Sequence, residues 1–156
     1  MATQNNNLSD YDKDTLPNVA DMKFGIVVSQ WNNDITNGLY SGAFKTLLAC
    51  GVSKENILKL EVPGSFELIH GAKVIVKENV DAVILIGCII KGETPHFEFI
   101  SQAVADGVKD LNIKYDIPFI FCVSTDLNIS QSLERSGGKF GNKGTDSALA
   151  ALQLIK

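Results

Sequence analysis

Residues 83–90 read Val83-Ile84-Leu85-Ile86-Gly87-Cys88-Ile89-Ile90, and Lys91-Gly92-Glu93-Thr94-Pro95-His96 follows at once. An uncharged run of this length, rich in β-branched residues, predicts a buried strand beginning near Asp81. A glycine turn then opens a helix. Thr94 is placed to cap it and Pro95 to occupy its first position. The start of that helix offers free N–H groups and a positive dipole end, which favour an anion such as phosphate. His96 falls in the first turn, where the imidazolium form is disfavoured. That predicts a neutral histidine ready to exchange a proton near pH 7. One short stretch therefore supplies a buried strand, a phosphate cradle and a candidate acid/base.

The same alternation runs outward in both directions. Phe24–Ser29 is predicted as a strand. Ile35, Leu39, Ala43, Phe44, Leu47 and Leu48 recur at helical spacing, with Gly51 as the stop. Residues 56–62 predict a strand and 65–77 a helix. A helix is predicted from His96 to about Lys114, with Phe97, Ile100, Ala103, Val104, Val108 and Leu111 on one side. Residues 118–124 predict the last strand, and 129–135 and 143–155 two closing helices. Continuous apolar strands alternating with amphipathic helices mean a parallel sheet covered on both faces. The expected fold is a three-layer α/β/α sandwich with a central, mainly parallel, flavodoxin-like sheet. Ligands in such sheets bind beyond the carboxyl ends of the strands. The loops after Ser29, Val62, Ile90 and Thr125 are therefore the places to look.

Composition narrows the choices. With 156 residues, one core is expected. The formal net charge of −4 argues against a nucleic-acid surface but leaves room for a small basic pocket. No apolar run approaches the roughly 20 residues of a membrane span. The first residues have neither a basic nor an apolar region of a secretory signal. Cys50, Cys88 and Cys122 form no CxxC pair, and Cys88 and Cys122 sit in apolar runs. Reduced, buried thiols and a cytoplasmic location are expected. His70 and His96 have no companion at ligand spacing, so no metal is expected.

The strand ends carry the polar chemistry. Trp31, the only tryptophan, either stacks on a planar heterocycle, with Asn32 at its edge, or is a surface or interface residue. In Pro63-Gly64-Ser65-Phe66-Glu67, Ser65 can cap a helix with Glu67 in its first turn. Alternatively Ser65 and Glu67 bind hydroxyls while Phe66 packs on a ring. Glu134–Gly144, ERSGGKFGNKG, resembles a phosphate-binding P-loop only superficially. Glycine would be needed at Asn142 and Ser or Thr at Gly144. What remains is Arg135, able to clamp a phosphate in bidentate fashion, and Lys143 as a second charge, or else a solvated basic turn.

Four stretches together resemble the lumazine synthases: FGIVVSQWNNDIT (24–36), VPGSFE (62–67), GCIIKGETPHF (87–97) and ERSGGKFGNKG (134–144). The likeness covers about residues 22–155. It implies condensation of 5-amino-6-(D-ribitylamino)uracil with 3,4-dihydroxy-2-butanone 4-phosphate, giving 6,7-dimethyl-8-ribityllumazine, phosphate and water, with no cofactor or metal. By the family pattern Trp31 stacks on the pyrimidine, and Asn32 with the backbone near Ile89 and Ile90 binds its edge. Ser65 and Glu67, with Gly64 and Phe66 beside them, hold the ribityl chain. Gly92, Glu93, Thr94 and Arg135 hold the phosphate, with Lys91 and Lys143 nearby. His96 moves protons, and Phe121 arrives from a neighbouring subunit. Cys122 stands where glycine is common, Leu127 where an acidic residue is common, and Lys91 where arginine is frequent.

The resemblance also implies assembly. Residues 1–21 would be an arm, partly disordered or pairing with a neighbouring subunit through Leu16 to Ala20. Residues 22–156 would be the catalytic domain. Five subunits would form a ring, with twelve rings closing a sixty-subunit shell favoured by the short 137–144 turn. Riboflavin synthase is a candidate partner for such a shell. A non-catalytic lumazine carrier and a purely structural shell protein are the competing readings. The carrier is disfavoured by the presence of His96, Arg135 and Lys143, and the structural shell by the polar residues that fill the strand ends.

Overall fold

The computed structural model describes residues 18–155. The element order is β1 (Phe24–Ser29), α1 (Asn33–Ala49), β2 (Ile57–Val62), α2 (Leu68–Ile75), β3 (Ala82–Ile90), α3 (His96–Lys114), β4 (Phe119–Asp126), α4 (Ile129–Arg135), β5 (Ser136–Gly138), β6 (Gly141–Asn142) and α5 (Lys143–Leu154). The first four strands form one parallel sheet in the order β2-β1-β3-β4, as a flavodoxin-like sheet requires. Strands β5 and β6 make a small antiparallel hairpin.

Alternation along the strands builds the three layers. Phe24, Ile26 and Val28 of β1 and Ile84, Ile86 and Cys88 of β3 pack with Leu39 and Leu47 of α1 and Leu149 and Leu152 of α5. Val27 of β1 and Val83, Leu85 and Ile89 of β3 point the other way, onto Leu68 and Ala72 of α2 and Val104 and Val108 of α3. Strand β3 is central and covered on both faces, so every residue from Ala82 to Ile89 is buried. Each such aliphatic side chain contributes about 1.5–3 kcal/mol through removal from water. Val19, just before β1, is buried in the α1/α5 core. Leu16 and the rest of the expected arm up to Pro17 lie outside the described residues.

Three boundaries differ from the sequence reading by two residues or more, and others by one. The second helix begins at Leu68 rather than Ser65, and a short 3₁₀ turn at Val76–Glu78 replaces its last turn. Strand β4 runs two residues past Ser124, because β3 is long enough to pair Ile89 with Thr125 and Ile90 with Asp126. A polar Ser-Thr-Asp ending reads as loop, yet an available partner strand extends it. The glycine-rich turn contains the β5–β6 hairpin. Gly51, the expected stop, sits at φ +98 just after α1.

Helices α1 and α5 approach closely at Gly144. A Cβ on Gly144 would lie 1.8 Å from the Leu39 carbonyl oxygen. No side chain fits there without moving helix backbone. The Gly144→Ala variant is expected to lose about 3 kcal/mol of stability or more. Its melting temperature should fall by roughly 6–12 °C, measured by circular dichroism; an unchanged melting curve would show that the two helices separate freely. The same clash explains why the Ser or Thr of a P-loop cannot stand at 144.

Candidate active site

Among the clefts at the carboxyl end of the sheet, two are lined by residues singled out from the sequence. The first, a cavity of about 470 Å³, is lined by Trp31, Asn32, Gly64, Ser65, Phe66, Glu67, Cys88, Ile89, Ile90, His96 and Ile100. It lies beyond β1 and β3, where the strand order reverses. Three of the four loops singled out from the sequence meet here.

Each loop is shaped by its backbone. Asn32 adopts the left-handed conformation (φ 57, ψ 51), which asparagine tolerates, and so turns the chain from β1 into α1. Its side chain does not cap α1. Instead Nδ2 donates to the Cys88 carbonyl oxygen at 3.3 Å, tying the β1 loop to β3 across the switch point. The Trp31 N–H donates to the Pro63 carbonyl at 3.1 Å, which holds the β1 and β2 loops together. The indole itself is 71% exposed at the cavity rim. An exposed ring on a fixed backbone is suited to stacking on a planar ligand.

At the end of β2 the capping expectation is corrected. Glu67, not Ser65, occupies the cap position of α2, and no side chain bonds there. The Ser65 carbonyl instead accepts the Leu68 N–H at 3.3 Å in a turn. Ser65 is 7% exposed, and its hydroxyl has no partner among the described residues. Glu67 is exposed in the same cavity. The Ser65 hydroxyl is buried against Gly87 of β3, so the exposed Glu67 carboxylate and the unsatisfied Ser65 oxygen beneath the surface are the polar groups of this loop at the cleft.

The Thr94 expectation is corrected too. Helix α3 starts at His96 with Pro95 in the cap position and no side-chain capping bond. Thr94 stands one residue too early to reach the first-turn N–H groups. No side chain before the helix caps its start, which leaves the His96 and Phe97 N–H groups without a cap, as an anion site needs. Lys91 through Thr94 are exposed. The Lys91 ammonium lies 3.1 Å from Glu98. A bond from Glu98's own N–H, and then Lys91, hold that carboxyl below its ordinary range. This exposed pair contributes little to stability.

The second cleft, also about 470 Å³, is lined by Leu39, Ile120, Phe121, Cys122, Val123, Ser124, Thr125, Asp126, Arg135, Lys143, Asp146, Ser147 and Ala150. It gathers Phe121, Arg135 and Lys143, none of which lines the first. Arg135 ends α4; its Nη1 donates to the Gln131 carbonyl at 3.0 Å and lies 4.0 Å from the Asp126 carboxylate. Its guanidinium stands 5.4 Å from the Phe140 ring centre. Lys143 begins α5, where a cation is disfavoured by the dipole, and it pairs with Asp146 one turn on. The expected cations are thus grouped, but apart from His96 within one chain.

The thiols are structural. Burial pushes Cys122 up to about 11 and raises Cys88 as well. Cys122 Sγ donates to the Lys143 carbonyl at 3.7 Å, under the second cleft. Cys50 is only half-buried, unlike the other two.

Two residues escaped the sequence reading. Asn142 caps α5, accepting the Gly144 N–H at 2.8 Å, while its Nδ2 donates to the carbonyls of Gly38 (2.9 Å) and Ser136 (3.2 Å). An asparagine directly before a helical pattern was the available signal. Asp126 accepts from Ser124 and from Ser132 at 2.7 Å, and only the extension of β4 puts it there. Among the described residues no three His, Cys, Asp or Glu side chains converge as a metal set.

A doubly covered parallel sheet, with a cleft at its switch point lined by an exposed tryptophan, a glutamate and a histidine, is the arrangement of an α/β enzyme of small-molecule chemistry. The 6,7-dimethyl-8-ribityllumazine synthase profile matches residues 21–156. A protein of that name from Flavobacterium johnsoniae is 59% identical over 155 residues, which are 99% of this chain and 82% of the relative. One from Christiangramia forsetii is 56% identical over 158 residues, covering 100% and 94%. One from Bacteroides fragilis is 50% identical over 135 residues, covering 86% and 94%. The chain belongs to the 6,7-dimethyl-8-ribityllumazine synthase family, transferases of riboflavin biosynthesis.

Proposed function

We propose that this chain condenses 5-amino-6-(D-ribitylamino)uracil with 3,4-dihydroxy-2-butanone 4-phosphate to 6,7-dimethyl-8-ribityllumazine, releasing phosphate and two waters. The observation that carries this reading is the first cleft, where Trp31, Ser65, Glu67 and His96 meet. The pyrimidine stacks on Trp31, with its edge on Asn32 and the backbone of Ile89 and Ile90. The ribityl hydroxyls bond Ser65 and Glu67, flanked by Gly64 and Phe66. The open start of α3, with Gly92, Glu93 and Thr94 before it, takes the phosphate. His96, in the first turn, moves protons during imine formation and phosphate loss.

The site is shared between copies in this reading. Phe121, Arg135 and Lys143 line a different cleft of the same chain, so they reach the substrates only from a neighbour. Supporting this, Phe121 is 41% exposed and Phe66 54% exposed, large apolar surface suited to a subunit contact. A ring of five, with twelve rings in a shell and residues 1–21 reaching a neighbour, is the assembly proposed. The compartment proposed is the cytoplasm, and the partner a riboflavin synthase. Among the described residues no helix is long and apolar enough to cross a membrane.

The test is a fluorescence assay with both substrates, read as lumazine emission above the uncatalysed background. Acceleration is expected. Tight binding of a ribitylated ligand without acceleration would make the protein a carrier instead. Light scattering gives the assembly: a mass near five subunits would exclude the shell.

A further inference from the structure

We propose that Asp126 is a positioning residue for Arg135, holding the guanidinium with its free edge toward the substrate phosphate. This rests on the reading of Arg135 as a phosphate ligand. The Asp126 side chain is 11% exposed, and its orientation is fixed from two sides. Its Oδ2 accepts from the hydroxyls of Ser124 and Ser132. Ser132 is itself fully buried and accepts from Cys88 Sγ at 3.6 Å. The backbone is fixed as well: Asp126 is in register with Ile90 on β3, and its carbonyl accepts the Lys91 N–H at 3.0 Å.

With Oδ2 occupied, Oδ1 is the oxygen that faces Arg135, 4.0 Å from Nη1. The same Nη1 donates to the Gln131 carbonyl. One edge of the guanidinium fork is therefore held by the Gln131 carbonyl, with the Asp126 charge within ion-pair range of the same nitrogen. Its other nitrogens have no acceptor among the described residues. A carboxylate repels phosphate directly, so its useful place is behind the arginine, where it orders a long side chain before the anion arrives. Leu127, where the family resemblance leads one to expect an acid, has no such role. Its side chain is 61% exposed, and its N–H donates to Gln131 Oε1 at 2.9 Å. The carboxylate of this loop comes from Asp126.

The test compares wild type, Asp126→Asn, Arg135→Ala and the double variant, with KM measured separately for each substrate. Asp126→Asn keeps shape and an acceptor oxygen but removes the charge. It is expected to raise KM for the butanone phosphate about tenfold and leave KM for the pyrimidine unchanged. On the Arg135→Ala background it should add nothing. An unchanged KM, or an effect of equal size without Arg135, would overturn the proposal and assign Asp126 to folding alone. Should Asp126→Asn not fold, Ser132→Ala is measured on the same two backgrounds and judged the same way, with a shift of roughly threefold expected. If Arg135→Ala is itself silent, the phosphate reading has failed and the proposal falls with it. A damaging Arg135→Ala beside a silent Asp126→Asn rejects the positioning role alone.

Discussion

Arg135→Ala is expected to lower kcat/KM for the butanone phosphate about 10²- to 10⁴-fold. Two charge-assisted bonds from a planar fork to a phosphate each contribute roughly 1.5–3 kcal/mol. The loss should fall on KM for the phosphate substrate, with KM for the pyrimidine held, because Arg135 lies outside the cleft proposed for the ring. Arg135→Lys should recover only part, since a point charge cannot reproduce the fork. Steady-state kinetics with each substrate varied in turn checks this. Equal losses for both substrates would mean that Arg135 supports the fold or the assembly rather than the phosphate.

His96→Ala is expected to lower kcat by about 10²–10⁴ while leaving both KM values within a few-fold. Residual activity should remain above the uncatalysed rate, because the cleft still brings the reactants together. A large rise in KM for the butanone phosphate with kcat kept would recast His96 as a binding group. The two variants also test the shared site. Each is expected to be nearly inactive alone. When they are unfolded together, mixed equally and refolded, some sites take His96 from one copy and Arg135 from another. Random mixing restores roughly a quarter of the sites. Recovery no greater than the sum of the parents would place both residues in one chain's site, against the separate clefts seen here.

The strand at 82–90 was legible because its composition leaves it one environment: nine uncharged residues belong between two layers of helices. The helices at 33–49 and 96–114 were legible from their spacing. Chemistry close to a strand end was legible for the same reason, since a parallel sheet delivers its loops to one edge. Trp31, Ser65, Glu67 and His96 do meet in one cleft. Caps were less legible. Ser65 and Thr94 have the chemistry of N-caps, but the turns before α2 and α3 start those helices three and two residues later, and a cap depends on register.

By itself, the sequence determined the alternation of strands and helices, the parallel sheet, the strand-end loops that meet in one cleft, and the family. The elements and the sheet follow from local period and from residue types at short spacing, whereas the family follows from the likeness of four motif stretches to its members. Only the tertiary structure decided that Arg135, Lys143 and Phe121 open into a different cleft from His96. It also decided that Gly144 must stay bare against Leu39, and that β4 extends far enough to place Asp126 behind Arg135. Each of these is a relation between segments distant along the chain. Such relations depend on how strands pair and how closely helices approach, which no local pattern encodes.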